Sequence, residues 1–370
     1  MTDVVELART LVRMDTAGHG EEAAARVCAS ILERAGARVE LVPYAPGRAH
    51  LVATAGHPVD RPLIVSGHLD TVPVGDATWQ HQPLSADVVD ERLHGRGSAD
   101  MKGGVAALVV ALERALQRDS SASGAVLVLT SAEEAGCAGA RHLLTTSRLP
   151  HGGPLLVAEP TDMRIATGHK GVLWLRVSAT GRSAHGSRPD LGENAITPLA
   201  RLVVRIADEG LPGEHPVLGR VTANVGTIRG GTQINLVPDA ASTEIDIRLV
   251  PGADTQVLIE RIRAMAGADV RIETLQDLAP VYSPPDAPFA VGVGQALAEV
   301  TGTAHHRPPM TYFTDAAIVA SALGSSETVL LGPGDPDAAH TTDESCPVEQ
   351  IRQACDVYER VLGYSSPRRR

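Results

Sequence analysis

Three stretches of this chain, Leu63–Ser66, Ala125–Ser131 and Leu155–Ala158, are apolar almost throughout, with no polar alternation. A strand with one wet face alternates; one that does not is covered on both sides. Helix patterns separate them, Gly103–Arg118 between the first two and Ala138–Ser147 between the second and third. This order predicts an α/β domain with a largely parallel sheet between helical layers. Two more helix patterns precede it. Val4–Met14 follows Thr2 as N-cap, and Glu21–Arg34 is stopped by Gly36; strands at Arg38–Val42 and Ala49–Ala53 come next.

The rhythm changes near Gly171. From there the pattern reads strand (Val172–Ala179), helix (Ala195–Ala207), strand (Arg220–Arg229), strand (Ala241–Leu249), helix (Asp254–Ala266), strand (Asp269–Thr274). The order βαββαβ is that of a small ferredoxin-like sandwich. We therefore expect an inserted domain over 172–283, with Ala279–Pro288 as return linker, inside a first domain made of 1–171 and 284–370. The second part carries helices Phe289–Val300, Asp315–Leu323 and Val348–Leu362 and a strand Thr328–Leu331. At 370 residues the chain is long enough for two cores.

A net charge of −11 argues against nucleic acid and against an anionic membrane surface as partners. No apolar run approaches the roughly 18 residues that cross a bilayer, and Met1-Thr2-Asp3 lacks the features of a signal peptide. Cys28, Cys137, Cys346 and Cys355 form no CxxC pair, which suggests reduced thiols in a cytoplasmic protein. The tail Arg368-Arg369-Arg370 reads as a frayed end.

Ligands of open α/β sheets bind beyond the carboxyl ends of the strands. There this sequence repeatedly places metal-ligand residue types. His68 and Asp70 follow the first apolar strand, Glu133-Glu134 the second and Glu159 the third. His340 follows Thr328–Leu331 through Gly332-Pro333-Gly334, and Asp100 lies in a Gly-rich turn before a helix. At i and i+2 of an extended chain, Asp70 can sit behind His68 and accept its second ring N–H. Several carboxylates converging on one rim repel unless cations neutralise them. Two imidazoles with several carboxylates and no thiolate suit Zn²⁺, Co²⁺ or Mn²⁺, and the number of carboxylates fits a pair of ions. One of Glu133 and Glu134 can ligate while the other serves as general base; spacing does not say which.

Five blocks, in this order over essentially the whole chain, resemble the M20 family of metallo-amidohydrolases, the group of acetylornithine deacetylase and succinyl-diaminopimelate desuccinylase. They are Ser66-Gly67-His68-Leu69-Asp70-Thr71-Val72-Pro73, Gly95-Arg96-Gly97-Ser98-Ala99-Asp100-Met101-Lys102-Gly103-Gly104, Glu133-Glu134, Ala158-Glu159-Pro160-Thr161 and Ala339-His340-Thr341. The resemblance implies a zinc-aminopeptidase-like catalytic domain, mixed but mainly parallel, whose ferredoxin-like insert is lid and dimerisation surface. It implies two Zn²⁺ ions, with Co²⁺ or Mn²⁺ able to substitute. The implied ligands are His68, Asp100 (bridging, before a cis peptide bond), Glu134, Glu159 and His340. Asp70 would orient His68, and Glu133 would be the base. In the insert, Gly181–Pro189 resembles the segment whose histidine, here His185, polarises the scissile carbonyl. The blocks Gly230–Pro238, with Asn235, and Asp246-Ile247-Arg248 resemble those that contact the substrate's polar end. From the residues alone, Arg248 has a competing use as ion-pair partner of Asp246 or Glu244.

The implied activity is hydrolysis of the amide of an N-acyl amino acid by a homodimer. A dipeptidase or carboxypeptidase on the same centre, and a non-hydrolytic binding protein, are the alternatives. Three features stay outside this scheme. The 33 basic residues include only two lysines, Lys102 and Lys170, both in motif blocks, and Thr314-Asp315 resembles a Thr-Asp-Ala block of the family near the active site but reads from the residues as a helix N-cap.

Overall fold

A computed structural model describes residues 1–57, 59–118, 124–146, 149, 152–267, 269–324 and 327–364. Ser147, the expected end of one helix, and the Arg368–Arg370 tail lie outside them. The chain forms two compact units. The first comprises Met1–Gly168, Tyr282–Pro308 and Thr314–Arg370; the second comprises His169–Val281 and Pro309–Phe313. The short segment Pro309–Phe313 carries no periodicity of its own, so the sequence offers no sign that it joins the second unit.

The first unit is built on a six-stranded sheet in the order Arg38–Ala45, Arg48–Ala55, Ala125–Thr130, Leu63–His68, Leu155–Val157, Thr328–Leu330. The first two strands form an antiparallel hairpin that joins the third antiparallel, and the other three pairings are parallel. Every residue of the strands Leu63–His68, Ala125–Thr130 and Leu155–Val157 is buried, as their unbroken apolar pattern requires. The helix Gly103–Arg118 buries twelve of its sixteen residues and packs against the terminal helix Val348–Tyr364.

Helix limits follow local chemistry. The first helix, Val4–Val12, is capped by Asp3, whose carboxylate accepts the N–H groups of Val5 and Glu6. This corrects Thr2 as the cap: its N–H and hydroxyl donate to Glu113 instead. The helix Glu21–Arg34 ends before Gly36, which takes φ 95°. Three short strands, Val88–Val89, Arg92–His94 and Ser345–Pro347, form a small antiparallel sheet. They are too brief to show a period. They set Glu344 beside the turn that carries Asp100.

The second unit has a four-stranded antiparallel sheet in the order Thr222–Gly230, Ala240–Leu249, Gly171–Thr180, Val270–Leu278. Helices Ile196–Glu209 and Thr255–Ala266 bury Leu199, Leu202, Ile206, Leu258 and Ile262. Strand Ala240–Leu249 alternates, with Ile245 and Ile247 buried and Glu244, Asp246 and Arg248 on the opposite face. This is the ferredoxin-like order expected from βαββαβ. Among the described residues no helix is long and apolar enough to cross a membrane, and the four cysteines are free and buried.

Two glycines let the strand ends close up. A Cβ on Gly104 would lie 2.3 Å from the Ala158 carbonyl oxygen, and one on Gly332 would lie 2.3 and 2.4 Å from the carbonyls of Ala158 and Glu159. Both neighbours are backbone and cannot swing aside. Gly104→Ala should therefore destabilise the protein by about 1–3 kcal/mol, as overpacking does, read as a shifted denaturant midpoint. An unchanged midpoint would show that the helix start is not in this contact.

Candidate metal centre

The strand Leu63–His68 ends with a buried His68, and its Nδ1 lies 2.9 Å from the main-chain carbonyl of Asp70. That carbonyl accepts the Nδ1–H and turns Nε2 toward the other strand ends. The carboxylate of Asp70 stays 3.7 Å from the ring. It accepts the main-chain N–H groups of Glu133 and Glu134, each at 3.1 Å. This corrects the expected role. Asp70 steadies His68 through its carbonyl, and its side chain holds the Glu133-Glu134 turn.

Asp100 sits where two ligand sets meet. Its Oδ1 is 3.1 Å from His68 Nε2 and its Oδ2 is 3.3 Å from His340 Nε2. Glu159 Oε2 lies 4.0 Å from His68 Nε2, and Glu134 Oε1 lies 2.9 Å from His340 Nε2. Two groups result, each with ligand atoms within 4.8 Å of one another: His68, Asp100 and Glu159, and Asp100, Glu134 and His340. A single carboxylate belongs to both. Glu133 also converges on His68 and Glu134.

The Asp100 turn is held from below by Glu344. Its buried carboxylate accepts the N–H groups of Gly97 (3.0 Å), Ala99 (2.9 Å) and Asp100 (3.0 Å), and pairs with Arg96 at 2.6 Å. The peptide bond Asp100–Met101 is cis. Buried Lys102 donates to the Met14 carbonyl at 2.8 Å. Burial draws its pKa down to about 8 against the fields of Glu344, Asp15, Asp70 and Glu21. Lys102 is thus a buried tie between this turn and the end of the first helix.

The electrostatics are those of a site built for cations. Burial raises the pKa of Glu133; His68 opposes, and Asp315, Glu159 and Glu134 add to the rise. Glu159 is raised by burial and by Asp100, with His68 again opposing. Burial disfavours charge on His68, yet the Asp100 hydrogen bond and the carboxylates of Glu159, Asp100 and Glu133 lift it well above the usual imidazole range. Hydrogen bonds to Asp100 and Glu134 push His340 up to about 10. Protons on the two imidazoles thus stand in for positive charge that carboxylates at this spacing demand. Nitrogen and oxygen donors in two sets, with no thiolate among them, fit a pair of divalent ions.

Asp315, expected as part of a helix N-cap in a block that resembles one near the family's active site, is a neighbour of this cluster. The N–H of Ala316 is capped by Thr314 Oγ1 at 3.1 Å, and Asp315 makes no cap hydrogen bond. Its carboxylate is buried and accepts from Thr130 Oγ1 at 2.5 Å. Glu344 was missed as well, because an acid before a three-residue strand has no recognisable pattern.

His185, Asn235 and Arg248 belong to the second unit. His185 is exposed, and its Nδ1 accepts the N–H of Ser187 at 3.1 Å with the Ser187 hydroxyl at 2.8 Å. His185 forms a β-bridge with Leu236, and the Asn235 carbonyl accepts the Gly186 N–H at 2.7 Å. Arg248 donates through Nε and Nη2 to Asp246 Oδ2 at 3.2 and 2.9 Å and lies over the Phe313 ring. His185 and Asn235 lie with the loop joining Gly230 to Ala240. Arg248 pairs with Thr222 at the other end of that ladder. At about 3.3 Å per residue, the seven steps from Ala241 to Arg248 span roughly 23 Å. One unit does not bring these three residues together. Lys170 donates to the Arg220 carbonyl at 2.6 Å.

The profile of peptidase family M20/M25/M40 matches residues 64–364. A probable carboxypeptidase of Aspergillus terreus is 31% identical over 81% of this chain and 70% of its own length. A probable succinyl-diaminopimelate desuccinylase of Staphylococcus aureus is 27% identical over 96% of this chain and 95% of its own. Among solved structures, an M20 family metallo-carboxypeptidase of Sulfolobus solfataricus superposes with a TM-score of 0.82 at 18% identity, covering 99% of each chain.

Two outcomes are expected. Because the pKa of His340 stands at about 10 and that of His68 is raised well above the usual imidazole range, bound ions should displace protons. Adding Zn²⁺ to metal-free protein in weak buffer at neutral pH should release protons, and apparent affinity should climb with pH. Release of no protons would contradict the protonated pair. Asp70→Ala frees the Glu133-Glu134 turn, so metal affinity by calorimetry should fall about 10–100-fold. An unchanged affinity would show that the turn holds itself.

Proposed function

The chain belongs to peptidase family M20/M25/M40, and from that premise we propose that it is a dinuclear metal hydrolase of N-acyl amino acids. The observation that carries this is the sharing of Asp100 between the His68–Glu159 and His340–Glu134 sets. Zinc suits the donors best, with cobalt or manganese as substitutes. Once bound, the two ions supply the Lewis acidity that makes water a nucleophile at neutral pH and polarises an amide carbonyl.

The protein's own part is proton transfer and orientation. Glu133, buried and with its basicity raised by burial, takes a proton from the water that attacks the acyl carbon. As the C–N bond breaks, the same carboxyl returns that proton to the leaving amine. Asp70 keeps Glu133 and Glu134 in register by holding both of their N–H groups.

His185 is assigned to the developing oxyanion. Its Nδ1 accepts the Ser187 N–H, so the neutral ring carries its proton on Nε2, the donor such a role needs. Arg248, braced by Asp246 and with Nη1 3.5 Å from the Thr311 carbonyl, keeps further N–H groups for a carboxylate. The distance between the two ends of the sheet favours a homodimer through the second unit. A single small substrate would then meet Arg248 of one subunit and His185 and Asn235 of the other.

The N-acyl preference is supported by the desuccinylase relative, which aligns end to end with this chain. The carboxypeptidase relative, at 31% identity, favours peptide substrates as the second reading. A panel of N-acetyl, N-succinyl and N-formyl amino acids beside simple dipeptides, with Zn²⁺-loaded protein, separates them. We expect an N-acyl amino acid to be the fastest substrate. Faster dipeptide cleavage would select the peptidase reading, and no hydrolysis at all would overturn both. Glu133→Gln should keep its metal and lose about 10²–10⁴-fold in kcat; a near-normal rate would remove Glu133 from the base role.

A further inference from the structure

A second buried cluster lies behind Glu133, and the scheme above does not use it. Cys137 is fully buried, and its Sγ lies 3.7 Å from Glu133 Oε1. The Cys137 N–H donates to the Glu133 carbonyl at 2.8 Å, so one turn of backbone sets the thiol under its own i−4 carboxylate. Asp315 stands beside both, and Glu133, Cys137 and Asp315 bring one polar atom each within 4.8 Å of one another. Its Oδ2 is anchored by Thr130 Oγ1 at 2.5 Å. Its Oδ1 is buried, and its carboxylate is within hydrogen-bonding reach of the Cys137 thiol.

A general base on a long side chain has to be held in one rotamer without losing its basicity. Strong donors such as a guanidinium would orient a carboxylate but acidify it. A thiol is a weak donor and orients it with little of that effect. Burial, with the charges of Asp315 and Glu133 and a hydrogen bond to Asp315 adding, pushes the Cys137 thiol up, so it keeps its hydrogen.

We propose that Cys137 and Asp315 are positioning residues for Glu133: the thiol shares its hydrogen between Glu133 Oε1 and the Asp315 carboxylate, which fixes Glu133 toward the water, while Asp315, tied to Thr130, keeps the thiol in place. The inference rests on Glu133 being the base.

Two measurements test it, and the first needs no turnover. In zinc-loaded protein the S–H stretching band of Cys137 is identified by its loss in Cys137→Ser. It should lie below the bands of Cys28 and Cys355 and rise in Glu133→Gln. A band that ignores Glu133→Gln overturns the thiol contact.

The second is kinetic, on the fastest substrate of the panel. Cys137→Ala should lower kcat about tenfold, with KM and bound metal within about twofold, and Cys137→Ser should recover most of the loss. Within Glu133→Gln, Cys137→Ala should cost nothing further, since the two act as one unit. A further tenfold loss there, or a serine variant as slow as the alanine one, would assign Cys137 to packing alone. Asp315→Asn should likewise lower kcat with bound metal unchanged, and a wild-type kcat would remove Asp315 from the pair. If Glu133→Gln itself keeps the wild-type rate, the base assignment fails, whereas the infrared result still decides the thiol contact by itself.

Discussion

The two oxygens of Asp100 face different imidazoles, His68 at 3.1 Å and His340 at 3.3 Å, and the rest of the first unit is arranged to keep them there. His68 arrives on the central region of the sheet, Glu159 on its neighbour, and Glu134 on a turn tied back by Asp70. Asp100 itself comes from a turn that would have no reason to hold its shape alone. Glu344 supplies that reason by accepting three successive-region N–H groups, those of Gly97, Ala99 and Asp100. A buried carboxylate under a carboxylate ligand is costly unless fully hydrogen-bonded. Here Arg96 and the three amides offset the cost.

That arrangement explains why the acids and imidazoles have such displaced proton affinities. Burial alone raises carboxylates and lowers imidazoles. Here both histidines nevertheless move up, because each sits against carboxylates that outnumber it. The chemistry then divides among residues that differ little in type. Glu134 turns to His340, Glu159 to His68, and Glu133 to a thiol, close to His68 and Glu134.

Much of this was legible in the sequence because it is carried by long-period signals. Apolar strands without alternation announced a covered sheet, and the βαββαβ order announced the sandwich. That histidine and carboxylate side chains gather beyond the strand ends was readable for the same reason, since the end of a strand is where such a residue must stand. What was not legible depends on contacts between segments far apart in the chain. Glu344 acts across some 240 residues on the Asp100 turn, Asp315 reaches Thr130, and Pro309–Phe313 joins the second unit. Asp70 shows the limit at short range. Its i+2 relation to His68 was correct, but which of its oxygens met the ring depends on a turn 63 residues later.

The central claim is that one carboxylate serves two ions. The most direct measurement is the zinc content of the purified protein, dialysed against trace-free buffer, for wild type and Asp100→Ala. The account predicts two ions per chain in the wild type and loss of both in the variant. One ion in the wild type, or a variant that keeps one ion at full occupancy, would contradict it.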